Sequence, residues 1–105
     1  MEWLPDVIRE VVAAADPLKV VLFGSVARGE HEADSDIDLL VILPSAPVTE
    51  RRAIRRRILA AMRVPVPVDV VVTDPAEIAR RGHLKGWMLY SALHSEGVVL
   101  YERAA

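Results

Sequence analysis

Cysteine is absent from this 105-residue chain. That excludes disulfides, thiolate metal sites and cysteine nucleophiles, so any metal must be held by oxygen or imidazole ligands. Aromatic residues contribute only 5%, which leaves Val, Ile, Leu and Ala to build the core. No apolar run approaches the ~18 residues needed to cross a bilayer, so no membrane partner is expected. The first residues, Met-Glu-Trp-Leu-Pro-Asp, lack the basic start and apolar stretch of a signal peptide. A soluble, cytoplasmic protein is the expectation. An excess of positive charge is also missing. The formal net charge is −2, so the surface as a whole does not favour direct binding of bulk nucleic acid.

Hydrophobic residues, at 52%, argue against disorder. The length suits one compact domain over residues 1–105, with a thin core. Helical spacing of Ile8, Val11, Val12 and Ala15 predicts a helix over Pro5–Ala15, ended by Asp16-Pro17. Leu18–Phe23 reads as a buried strand broken by Gly24-Ser25, with a short turn of helix over Val26–Arg28 stopped by Gly29. Glu30–Ser35 is a polar, acidic loop. Asp36–Leu43 is a strand with Asp36, Asp38, Leu40 and Ile42 on one face and Ile37, Leu39, Val41 and Leu43 on the other. Both faces turn apolar, as in a central strand covered on both sides. Thr49–Arg63 is a helix with Thr49 as N-cap, and Val66–Thr73 is a third strand. Asp74-Pro75 opens another helical region interrupted near Gly82 and Gly86. A further helix, containing Leu84, Trp87, Met88 and Ser91, runs to Ser95 with Gly97 at its C-terminal cap. Val98–Glu102 is the last strand. The pattern is α+β, a mixed sheet flanked by helices.

Three aspartates stand out because aspartate is depleted in strands, and a buried carboxylate is costly unless neutralised. Asp36 and Asp38 project from one face of their strand. Asp69 interrupts a valine run in the next. If Asp69 pairs beside Asp38, three carboxylates converge and require a cation. An all-oxygen set favours Mg²⁺, or Mn²⁺. Gly24-Ser25 directly follows a strand. Glycine allows close backbone approach to a ligand, Ser25 adds a hydroxyl, and Arg28 adds a bidentate phosphate partner. A phosphate cradle beside a carboxylate set is what phosphoryl transfer needs, with two metal ions bridging the attacking and leaving oxygens.

Gly24-Ser25-Val26-Ala27-Arg28-Gly29, Ser35-Asp36-Ile37-Asp38-Leu39 and Val68-Asp69-Val70-Val71 together resemble the signature of the DNA polymerase β-like nucleotidyltransferases. The match is nearest to their minimal branch, which includes the MntA-type antitoxins. The resemblance implies the polymerase β-like nucleotidyltransferase fold. It further implies that Asp36 and Asp38 bridge two Mg²⁺ ions, that Asp69 holds the ion activating the acceptor hydroxyl, and that Gly24, Ser25 and Arg28 bind the nucleotide. The implied reaction moves AMP from ATP, or an NMP from another NTP, to a hydroxyl. In this branch the acceptor is a tyrosine of a helical HEPN-type toxin, and the transfer makes the enzyme an antitoxin. Alternatives are a module that neutralises its partner by binding alone, or the catalytic subunit of a two-chain nucleic-acid or small-molecule nucleotidyltransferase.

Ordinary readings stand beside these. Gly24-Ser25 taken alone is a turn, Asp36 and Asp38 could be the polar start of a strand, and Arg28 could pair with a nearby carboxylate. The Arg51–Arg57 cluster reads as a solvated helix face or as a dock for an acidic partner or RNA. His31, in the loop before the aspartates, reads as a solvated histidine or a nucleotide contact, and His83 and His94 lack ligand spacing. Trp3, Trp87, Tyr90 and Tyr101 read as core or interface. An edge strand at the C-terminus leaves a homodimer or hetero-oligomer open.

Overall fold

The computed structural model describes residues 3–29 and 36–104, without the side chains of Ser25 and Val26. The acidic loop expected over Glu30–Ser35, with His31, lies outside the described residues. Helix α1 covers Leu4–Ala15, with its proline in the first turn, and ends at Asp16 in a left-handed conformation. The valine- and leucine-rich segments become four strands: β1 (Lys19–Phe23), β2 (Ile37–Ile42), β3 (Val68–Thr73) and β4 (Val98–Glu102). They form one sheet in the order β3-β2-β1-β4. β1 runs antiparallel to β2 and β4, while β2 and β3 are parallel. A parallel pair needs a crossover, and α3 (Val48–Ala60) supplies it. The short helices are α2 (Gly24–Ala27), α4 (Pro75–Arg81) and α5 (Tyr90–His94).

The alternation expected for β2 sorts its residues onto two cores. Ile37, Leu39 and Val41 pack with Val7, Val11 and Ile58 against α1 and α3. Leu40 and Ile42 pack with Val21, Leu89, Ala92 and Trp87 on the opposite face. The sheet is thus covered on both sides, which is why β2 is apolar in both phases of its alternation.

Three local expectations are corrected. Thr49 is not the N-cap: α3 begins at Val48 after Pro47, whose φ of −55° suits a helix start and whose carbonyl receives the Glu50 amide. Leu84–Ser95 is not one helix. Residues 82–89 pass through successive tight turns, with amides of Leu84, Trp87 and Tyr90 each donating three residues back, and only Tyr90–His94 is helical. Gly97 is not a left-handed cap; among described residues only Gly24, Gly29 and Asp16 have positive φ. Glycine is needed at 97 for space, since a Cβ would collide with the Ala92 carbonyl and lie 2.7 Å from Val21 Cγ1.

A buried polar latch ties α3, α4 and the turn after β2 together. The Asp74 carboxylate accepts the Glu77 amide at 2.9 Å, capping α4, and the Ala46 amide at 2.8 Å. Arg51 donates to the Ala46 carbonyl at 2.6 Å and to Glu77 at 2.9 Å, and the Thr73 hydroxyl donates to the same Glu77 oxygen at 2.6 Å. The hydrogen bonds from Glu77 and Ala46 hold the Asp74 carboxyl below its ordinary range, with Arg51 and Arg80 helping. Asp74→Ala is expected to cost about 2–3 kcal/mol, the sum of a lost cap and an unpaired buried amide. Because the folded pKa is depressed, the charged group's contribution is complete above the unfolded value near 3.8 and is lost as pH falls through the folded value. The gap between wild type and Asp74→Ala in thermal melts should therefore begin to narrow as pH falls below about 4 and continue narrowing through the depressed folded value. A constant gap down to pH 3 would exclude the carboxylate charge as its source.

Candidate active site

The site forms where β1 ends and β2 and β3 begin. Phe23 at the end of β1 is the ladder partner of Asp38, so the chain turns into Gly24 directly beside that carboxylate. Gly24 has φ of +77°, a conformation L-residues rarely adopt. The space above it is filled: a Cβ there would lie 3.2 Å from Asp38 Cγ and nearer still to Oδ2. Elbow and carboxylate are one steric unit. Ser25 has its backbone in α2, next along the elbow.

Asp38 and Asp69 are register partners in the parallel β2/β3 pair. Neighbouring strands lie about 4.8 Å apart and register partners share a face, so both carboxylates rise side by side. The same face continues through Leu40 and Val71 to the Trp87–Ala92 cover. Asp36 is exposed immediately before β2. Asp38 is half-buried, and its pKa is raised first by that burial, then by the negative charges of Asp69 and Asp36; Arg28 opposes this. Arg28 also contacts Glu96 at 3.3 Å, so it serves both carboxylate neighbours. Like charges gathered at one strand end make ionisation of Asp38 costly until a cation arrives.

Asp69 is the most engaged of the three. Its Oδ1 accepts from Arg55 at 2.7 Å and from the Val70 amide at 3.0 Å. Among the described residues, no three His, Asp or Glu side chains close into a group that could hold an ion. The donor set still fits a divalent, oxygen-seeking cation: all its atoms are carboxylate oxygens, Asp38 and Asp69 share one face in register with Asp36 two residues before Asp38, and their repulsion is only partly compensated. His94 bonds the Gly82 carbonyl at 2.6 Å and packs on Tyr90; His83 is exposed. Trp3 and Tyr101 pack on one core and Trp87 on the other.

The arginine cluster divides. Arg52, Arg56 and Arg57 are exposed, in keeping with a solvated face. Arg51 and Arg55 instead turn to carboxylates, one in the latch and one in the site. The sequence reading missed both roles. The available signal was their four-residue spacing, which puts them on one stripe of α3.

The sequence model of the nucleotidyltransferase domain matches residues 4–100. The chain belongs to this family. A candidate protein adenylyltransferase of Methanocaldococcus jannaschii is 31% identical over 55 residues, 52% of this chain and 54% of that protein. The match thus spans about half the length of that relative. A candidate nucleotidyltransferase from Sulfolobus solfataricus, solved as a crystal structure, superposes with a TM-score of 0.63 at 24% identity, covering 97% of this chain and 79% of that one. A toxin–antitoxin structure with AMP-PNP gives a TM-score of 0.57 at 19% identity, covering 95% and 74%. A mutant of the toxin–antitoxin MntA–HpeT gives 0.53 at 16%, covering 97% and 73%. At these identities the likenesses establish the fold, and it is the polymerase β-like nucleotidyltransferase fold expected from the motifs. The mixed four-stranded sheet of this nucleotidyltransferase domain, with helices on both faces, is its core.

Proposed function

We propose that this domain transfers AMP from ATP to a tyrosine hydroxyl of a helical HEPN-type toxin and so acts as its antitoxin. The observation carrying the reading is the register of Asp38 with Asp69 beside a glycine elbow shaped around Asp38. Asp36, Asp38 and Asp69 would hold Mg²⁺, or Mn²⁺, which supplies neutralisation of the triphosphate and of the oxygen that attacks. Gly24 and Ser25 receive the triphosphate at the elbow, with Arg28 adding positive charge. The acceptor oxygen bonds to the α-phosphorus, the bond to the β-phosphate oxygen breaks, and pyrophosphate leaves with that electron pair. Asp69, on the outer strand, lies where an acceptor can approach, and its carboxylate takes the hydroxyl proton. The match with a candidate protein adenylyltransferase supports a protein acceptor; the toxin–antitoxin neighbours share the fold.

The alternative to be excluded is a domain that neutralises its partner by binding alone. Purified protein, α-labelled ATP, Mg²⁺ and a HEPN-type protein that binds it separate the two. The enzyme leaves label on a partner tyrosine. A stable complex with no label transferred defeats the enzymatic reading, and label in RNA shifts the acceptor class.

A further inference from the structure

Arg55 meets the third carboxylate in a geometry that supports it. It projects from α3 over the outer edge of the sheet, where β3 is the border strand among the described residues. Its Nε donates to the Val70 carbonyl at 2.9 Å, and its Nη2 donates to Asp69 Oδ1 at 2.7 Å. The carbonyls of Pro67 and Thr73 receive amides from the β2 side, so by strand alternation the Val70 carbonyl points outward. One planar guanidinium therefore grips two consecutive residues of β3, one through backbone and one through side chain. Asp69 Oδ1 also accepts the Val70 amide at 3.0 Å. That oxygen has two donors, while among the described residues no donor reaches Oδ2.

We propose that Arg55 is a positioning residue that commits Asp69 Oδ1 to the sheet edge and presents Oδ2 beside Asp38 for a divalent ion. The inference rests on the reading of Asp69 as a metal ligand. Two effects compete. The guanidinium charge repels a nearby cation, while its hydrogen bonds fix the ligand's orientation. The side chains of Arg55 and Asp69 are 49% and 51% exposed, so water screens the repulsion strongly. Orientation does not depend on that screening. Loss of an outer partner of a metal ligand typically weakens binding by about 10–100-fold, so the net effect of Arg55 is to favour the ion.

The test is a calorimetric Mn²⁺ titration with AMP-PNP present, a readout independent of turnover. Arg55→Ala is expected to weaken Mn²⁺ binding by about 10–100-fold with an unchanged circular dichroism spectrum. Arg55→Lys should recover part of the loss, since it keeps the charge but not the two-pronged grip. In an Asp69→Asn background, Arg55→Ala should cause no further change, because the residue it acts through is already gone. Wild-type affinity in both Arg55 variants, or an equal loss from Arg55→Ala in the Asp69→Asn background, overturns the inference. Should Asp69→Asn itself bind Mn²⁺ as wild type does, the assignment of Asp69 fails, which is a different result from Arg55 variants failing alone.

Discussion

Gly24→Ala is expected to abolish nucleotidyl transfer and to lower stability as well. Two costs coincide at this position. The backbone φ of +77° is strained for alanine by roughly 1–2 kcal/mol. The added methyl would also occupy the space of the Asp38 carboxylate, so either the elbow or Asp38 must move. A displacement of about 1 Å in a reacting constellation can reduce turnover ~100-fold, and here the proposed phosphate cradle and the proposed metal ligand would be displaced together. Each kcal/mol lowers the Tm of a domain this small by about 4–8 °C. Gly29→Ala is the control. Its φ is +76°, but among the described residues nothing lies within 4 Å of the added Cβ. It should show the strain in a thermal melt and retain transfer. Full activity in Gly24→Ala would show that Asp38 is not held by the elbow.

Asp38→Asn is expected to separate activity from stability in opposite directions. Removal of the carboxylate that lies between Asp36 and Asp69 should reduce transfer by a thousand-fold or more, on the order expected when a principal electrostatic contact of a transfer site is lost. The same substitution should raise Tm in EDTA. The folded pKa of Asp38 is raised above the ordinary carboxylate value of 3.8 by burial and by its acidic neighbours. Ionising it therefore destabilises the fold, and this penalty sets in as pH rises from the unfolded value through the higher folded one. The asparagine variant has no such penalty at pH 7. Adding Mg²⁺ with AMP-PNP should reverse the order, because the wild type gains the binding energy of the ion and the variant does not. If the metal-free variant melts below wild type at pH 7, burial and repulsion of this carboxylate do not govern its effect on stability.

The parts legible from sequence were those written in short-range pattern. The alternation through Ile37–Ile42 assigns each residue to the core it occupies, and aspartates interrupting apolar strands mark the site. Asp69 beside Asp38 required one further assumption, that two strands pair in a given register, and the valine run around Asp69 permits it. Arg55 was not legible. Its role depends on how α3 lies across β3, a tertiary relation that its four-residue spacing from Arg51 only hints at, and six neighbouring positions carry arginine or apolar residues that obscure it. The Asp74 latch was half legible: Asp74-Pro75 marks a helix start, but nothing local announces a bond to Ala46, 28 residues away. Residues 84–89 misled because apolar spacing near three and four also fits consecutive tight turns.

The bond from Arg55 to the Val70 carbonyl has a consequence for self-association. A strand with free outward amides and carbonyls invites a second chain to add to it. On the β3 side that template is interrupted by a charged group seated on the backbone. The opposite border, β4, carries exposed Val98 and Val99. Any growth of the sheet by strand addition is thereby directed to the β4 border, where Val98 pairs with Leu22 at the same end of the sheet as Asp38 but with β4 and β1 between the newcomer and β2.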